Sequence, residues 1–161
     1  MINAQEYLKM LEINREVIGE QTEGMTDSEM LIQPPNGGNC MLWTLGHLAN
    51  NLVSILSLLG EEKPEKLAKL DRFGYGSEPV LGPEPNLMTK AELMEVYDLA
   101  HGMVAEEIAP LTEADFNQEV VSFKGPTRLG WMLFFLEFHH AYHVGQLELL
   151  RNLAGYTEKI T

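Results

Sequence analysis

The sequence predicts an all-α protein, a four-helix bundle with a long connection between its second and third helices. Three observations carry this. Four long segments place apolar residues three and four apart, the period of a helix with one face on a core. Stretches rich in Pro and Gly, which a helix interior does not tolerate, lie between them. No convincing run of alternating apolar and polar residues is found, Glu119–Lys124 being the best short strand candidate.

The first segment runs from about Asn3 to Gln21, with Tyr7, Leu8, Leu11, Val17 and Ile18 as an interrupted apolar stripe. Thr26 to Glu29 has capping-box spacing and opens one short turn before Pro34-Pro35-Asn36-Gly37-Gly38 ends regular structure. The second helix begins near Asn39 or Cys40 and runs to Leu59, with Gly60 as its stop. Its residues Leu45, Leu48, Leu52, Ile55, Leu56 and Leu59 face the core, and it carries His47. Glu61 to Met88, with Pro64, Pro79, Pro83 and Pro85, reads as a long connection packed over the bundle as a lid.

A second capping box, Thr89 to Glu92, opens the third helix, which ends near Ala109 before Pro110. A brief turn is expected at Thr112–Phe116. Gly125-Pro126 then breaks the chain, and the fourth helix runs from Thr127 as cap to Gly155 as stop. There is no internal repeat. At 161 residues, the chain reads as a single domain spanning 1–161.

Composition narrows the partners. Twenty-four acidic against 11 basic side chains give a formal charge of −13, which repels phosphate backbones and anionic lipid surfaces. Nucleic acid and membranes are therefore not expected partners. The N-terminal residues lack the uninterrupted apolar stretch of a signal peptide, and the single Cys40 fits a reducing, cytoplasmic setting.

Three of the five histidines fall in Phe138-His139-His140-Ala141-Tyr142-His143. On a helix His139 and His143 are about 40° apart and one turn along, so both rings can face one ion. The i, i+3 pair His140 and His143, about 60° apart, is also permitted by geometry. The i, i+4 spacing recurs in zinc helices of the HExxH type. Paired histidines can equally be hydrogen-bonded core residues, and a third ligand separates the two cases, because catalytic metals usually have three protein ligands and an open position. His47, mid-helix among leucines, is the natural third; His101 is the rival, with Glu106 and Glu107 suggesting a solvated face.

The segments Gly38-Asn39-Cys40-Met41-Leu42-Trp43-Thr44-Leu45-Gly46-His47-Leu48 and His139-x-x-x-His143-x-Gly145-Gln146-Leu147, followed by Leu150-Arg151 and Gly155, resemble the signature of the DinB-like (DinB/YfiT) metalloenzymes. The resemblance covers essentially the whole chain. It implies a four-helix bundle whose three histidines bind a divalent metal, and it maps those ligands onto His47, His139 and His143. In relatives of similar pattern the residue after the first paired histidine is often acidic; here it is His140.

Three imidazoles with an open face suit Zn²⁺ or Ni²⁺, with Fe²⁺ or Mn²⁺ also compatible. Such an ion acidifies bound water or holds a substrate thiol as thiolate, so hydrolysis and thiol transfer are both reasonable. The resemblance favours a thiol-dependent S-transferase using a small thiol such as bacillithiol or mycothiol. The alternatives are a metal-dependent hydrolase and a non-catalytic, stress-related metal-binding protein. It also implies a homodimer, for which exposed apolar residues of the first and second helices are the expected contact.

No residue stands out as a general base: Asn50 and Asn51 lie where an acid would be a better candidate, and they read as polar residues at the bundle edge or as groups that orient water or substrate. Gly145 reads as a site of close helix packing, Gln146 as a hydrogen-bonding residue across the bundle, and Arg151 as the partner of an acid. Cys40 reads as an inert buried thiol. Trp43 and Trp131 read as packing anchors, Trp43 close enough to His47 to line a pocket.

Overall fold

The structure, a computed structural model, describes residues 3–122 and 125–158. Helix α1 spans Ala4–Thr22, α2 Met41–Leu58 and α3 Lys90–Ile108; a single turn, α4, spans Glu113–Phe116, and α5 spans Leu129–Leu153. Two short 3₁₀ segments, Glu29–Leu31 and Glu65–Phe73, lie in the connections. The long helices α1, α2, α3 and α5 form the bundle.

Local chemistry starts three of these helices. Asn3, Thr89 and Thr112 each accept from the amide three residues on, and the acid there, Glu6, Glu92 or Asp115, binds back to the cap amide. Around the bundle, α2 packs against α3 and α5, and α1 packs against the same two helices. The first two helices therefore face each other across the diagonal rather than sitting side by side, an arrangement the 18-residue stretch between Thr22 and Met41 has length enough to permit.

Helix α2 is the centre of the core. From Met41 to Ala49 every residue is buried, as are Asn51, Leu52, Val53, Ile55 and Leu56. A helix apolar nearly all round needs cover on every side. The connection after it supplies one side: Leu67, Leu70 and Phe73, three apart as 3₁₀ geometry places side chains in a row, are buried against the bundle. The expected long loop is therefore an ordered flap, pinned by Arg72 on Glu84 at 2.6 Å and on the Glu78 carbonyl.

The region before α5 differs from expectation. Glu119–Ser122 and Gly125–Arg128 form an antiparallel hairpin in which Thr127 pairs with Val120 and Pro126 with Val121. Gly125-Pro126 thus begins a strand, and Thr127 is a strand residue; the helix cap is Arg128, with no side-chain cap bond. The strand candidate Glu119–Lys124 matches in part, Phe123 and Lys124 lying outside the described residues. Gly130 lets α5 start tight under α4, because a Cβ there would stand 3.0 Å from the Phe116 ring. No helix among the described residues is long and apolar enough to cross a membrane.

Candidate metal centre

The motif in α2 has a steric logic. A Cβ on Gly46 would stand 2.4 Å from the Phe73 ring, so only glycine lets that ring seat on the helix. With Phe73 seated, its carbonyl accepts from His47 Nδ1 at 2.8 Å. Trp43, one turn earlier, stacks on the His47 ring with centroids 4.8 Å apart, and its Nε1 donates to Ser77 Oγ. The flap and α2 together hold His47 by one nitrogen and leave Nε2 free.

The other two rings are held in the same sense from α5. His143 Nδ1 donates to Gln146 Oε1 at 2.8 Å, and His139 Nδ1 meets Asn51 Oδ1 at 3.3 Å. Each Nδ1 faces an oxygen that can only accept, which places the proton on Nδ1 and the lone pair on Nε2. The structure thus brings His47, His139 and His143 together: one ring nitrogen from each falls within 4.8 Å of the others, and the Nε2 atoms of His139 and His143 are 3.1 Å apart.

Two imidazole lone pairs aimed at each other at that distance repel unless a cation stands between them. Zn–N bonds of roughly 2.0–2.1 Å put two ligands no more than about 4 Å apart, so the α5 pair is already at ligand spacing. His47 completes the group, its ring nitrogen within 4.8 Å of those of the other two. Among the described residues this is the group of His, Cys, Asp or Glu placed to hold an ion, and its donor set of neutral imidazoles fits a divalent transition metal.

Charge agrees with that role. Burial, with the neighbouring histidines second, pushes the His139 imidazole down to about 4, and burial also lowers His47 despite its bond to Phe73. Both rings are neutral at neutral pH, so an ion need not displace protons from them. Beside them lies a cavity of about 550 Å³ lined by His47, His139, Asn50, Asn51, Ser54, Tyr75, Phe135 and Leu136. Among the described residues no acid or base other than His47, His139 and Tyr75 lines it.

A model of the DinB superfamily matches residues 10–147. The chain belongs to the DinB superfamily. Two solved structures share its fold: a conserved protein from Enterococcus faecalis, 15% identical, covering 96% of this chain and 98% of that one with a TM-score of 0.75, and YfiT from Bacillus subtilis. YfiT is 18% identical, covers 96% of this chain and 89% of that one with a TM-score of 0.68, and is described as a probable metal-dependent hydrolase with an unusual four-helix bundle topology. No curated protein matches the sequence.

The remaining candidates of this DinB chain resolve as follows. His140 points away from His143 and is wholly buried, with its two nitrogens on Asn51 and Tyr97. The i, i+3 pairing therefore does not form. His101, expected on a solvated face, is buried against α1, with Nε2 3.5 Å from Glu12 and its ring against Tyr97. It stands apart from the cavity.

Asn51 is buried rather than at an edge, whereas the half-buried Asn50 donates to the Leu70 carbonyl of the flap. Gln146 bonds within its own helix turn, not across the bundle. Gly145 has open space where a Cβ would stand, so close packing does not explain it. Arg151 pairs with no acid; it donates to the Gln21 and Glu23 carbonyls and so closes the C-terminal end of α1. Cys40 is buried with its thiol on the Val80 carbonyl. Trp131 is 54% exposed and stacks on Phe134, so it anchors nothing in the core.

Sequence reasoning missed Phe73, whose part is played by a backbone carbonyl, and Tyr75, exposed at the cavity mouth between two glycines. The 3₁₀ spacing of Leu67, Leu70 and Phe73 was the available signal for the first. It says that a segment packs, not where its carbonyls point.

Proposed function

We propose that this chain is a metal-dependent enzyme in which His47, His139 and His143 hold a divalent ion, Zn²⁺ or Ni²⁺ first and Fe²⁺ or Mn²⁺ next, facing a small-molecule cavity. The observation that carries this reading is the convergence of nitrogens from three rings, each with Nδ1 on an oxygen acceptor. A bound divalent ion supplies Lewis acidity that lowers the pKa of a thiol or water at its open position.

The favoured reaction is transfer of a low-molecular-weight thiol such as bacillithiol or mycothiol. The thiol gives its proton to solvent, its sulfur forms a bond to an electrophilic carbon, and the leaving group departs with its electron pair. Phe135 and Leu136 give the substrate an apolar wall, while Asn50 and Ser54 offer an amide and a hydroxyl to orient it. Hydrolysis of an ester or amide asks more, since a leaving group must be protonated. The cavity lining has no carboxylate for that work, which supports transfer. The description of YfiT as a probable hydrolase keeps hydrolysis as the second reading.

The test is a metal-loaded protein assayed with bacillithiol and an alkylating fluorophore, and separately with chromogenic esters without thiol. Conjugation above background that disappears in His47→Ala supports transfer; ester turnover with no conjugation overturns it in favour of hydrolysis. A non-catalytic metal protein would bind the ion and do neither.

A homodimer also belongs to this reading, with its contact moved. Helix α2 is covered and α1 exposes only Ile13 among its large apolar side chains, whereas α5 exposes Trp131, Phe134, Phe138, Tyr142, Leu149 and Leu153 along one stripe. Sedimentation of wild type against Phe138→Ser checks it: a wild-type monomer would remove the dimer, and an unchanged dimer in the variant would remove the stripe.

A further inference from the structure

We propose that Asn51, His140 and Tyr97 form a buried positioning relay that fixes the tautomer and orientation of His139. The relay crosses the core from α2 through α5 to α3, and Asn51 is its hinge. The Asn51 side-chain nitrogen has two acceptors, the Leu136 carbonyl at 3.2 Å and His140 Nδ1 at 3.1 Å. An amide nitrogen carries two N–H groups and both are engaged. Flipping the amide would set its oxygen against the Leu136 carbonyl oxygen, two acceptors face to face at a buried site, and would leave that N–H bond unmade. Oδ1 is thereby held toward His139.

The same bond assigns His140. Since the Asn51 nitrogen can only donate, His140 Nδ1 is the bare nitrogen and its proton sits on Nε2, from which it donates to the Tyr97 hydroxyl at 3.0 Å. His140 and Tyr97 are both wholly buried, so neither ring has water as an alternative partner. His140 therefore acts as an acceptor that locks the amide, and the amide in turn leaves the His139 lone pair on Nε2. His140 and Tyr97 touch neither ion nor substrate. This inference uses the metal reading above only for its consequence; the tautomer assignment stands or falls without an ion.

The first experiment uses the chelator-treated protein. Long-range nitrogen–proton NMR of the imidazoles should show His139 as a single tautomer protonated at Nδ1 and His140 as a single tautomer protonated at Nε2. In His140→Leu the His139 signals should move to a mixture, and His140→Asn, whose side-chain oxygen falls near the position of Nδ1, should restore the single form. His139 protonated at Nε2 in wild type, or a single unchanged tautomer in His140→Leu, would overturn the relay.

The second experiment measures Co²⁺ affinity by chelator competition together with its visible absorption. Asn51→Leu and His140→Leu should bind about 10- to 100-fold more weakly, the usual loss when a partner behind a ligand is removed. His140→Asn should recover most of that loss. Leu52→Ala, a buried neighbour without polar contacts, serves as the folding control: it should lower thermal stability and leave affinity and spectrum unchanged. Equal affinity losses in Leu52→Ala and His140→Leu would overturn the positioning role. A wild type with the stated tautomers that binds no divalent ion would overturn the metal reading and leave the relay in place.

Discussion

Two faces of α5, one residue apart, use the same side chain for opposite purposes. His139 and His143 lie on a half-buried face with Nδ1 anchored and Nε2 turned toward the three-histidine group, and His139 also lines the cavity. On the inward face His140 and Glu137 are wholly buried, and His140 spends both nitrogens on protein partners. Asn14 donates to Glu137, whose carboxyl burial pushes up to about 7. The contrast teaches that spacing alone does not make a ligand. What separates the two kinds of histidine here is where the second nitrogen goes: those of His139 and His143 turn toward each other and toward His47, whereas that of His140 is taken up by Tyr97.

The largest effect expected to sharpen this contrast is at His139 against His140. Metal analysis after desalting should find no retained ion in His139→Ala, while the metal-free protein unfolds near the wild-type temperature. His140→Ala should instead lose roughly 2–4 kcal/mol by denaturant titration, from the cavity and from the Asn51 and Tyr97 groups left unpaired. If His139→Ala destabilised the metal-free protein as much as His140→Ala does, the two faces would not differ as described.

Gly46→Ala should come next, since its methyl drives Phe73 off the helix and takes the His47 acceptor with it. We expect about 1–3 kcal/mol of destabilisation and a parallel loss of metal affinity. Gln146→Leu removes only the acceptor of His143, and metal titration should show about tenfold weaker binding with little change in unfolding.

The smallest effect is one of slope. Burial lowers His47, His139, His140 and His101, so the unfolded chain takes up protons that the folded chain refuses. Stability of the metal-free protein should therefore rise with pH from about 4, the folded value of His139, to its ordinary value of 6.5. Glu137 opposes this: its folded value of about 7 lies above the ordinary 4.5, so its contribution falls as pH rises between them. Thermal melts of Glu137→Gln should show a steeper rise with pH than wild type; an unchanged slope would remove Glu137 from the balance.

Much of this was legible in the chain itself. The capping box Thr89 to Glu92 and the stops at Gly60 and Gly155 give helix ends close to those observed, because each depends on atoms within a few residues. The grouping of His47 with His139 and His143 is the one the family resemblance implied, whereas spacing alone left the His140 and His143 pair open. What failed to read was non-local. Gly125-Pro126 breaks a helix, but whether a strand follows depends on Val120 and Val121 in the strand it pairs with. Asn51 and His101 looked like edge residues because their partners, His140 and the face of α1, lie far away in sequence. Arg151 looked for an acid and found two carbonyls.

One consequence follows from how His47 is held. Its ring offers one nitrogen to the three-histidine group and the other to Phe73, the last residue of the Glu65–Phe73 segment, after which the flap carries Ser77 to the Trp43 indole and Tyr75 to the cavity mouth. The imidazole is thus a shared hinge pin. An ion held there, as proposed above, would stiffen the connection as well as the site, because both share one ring.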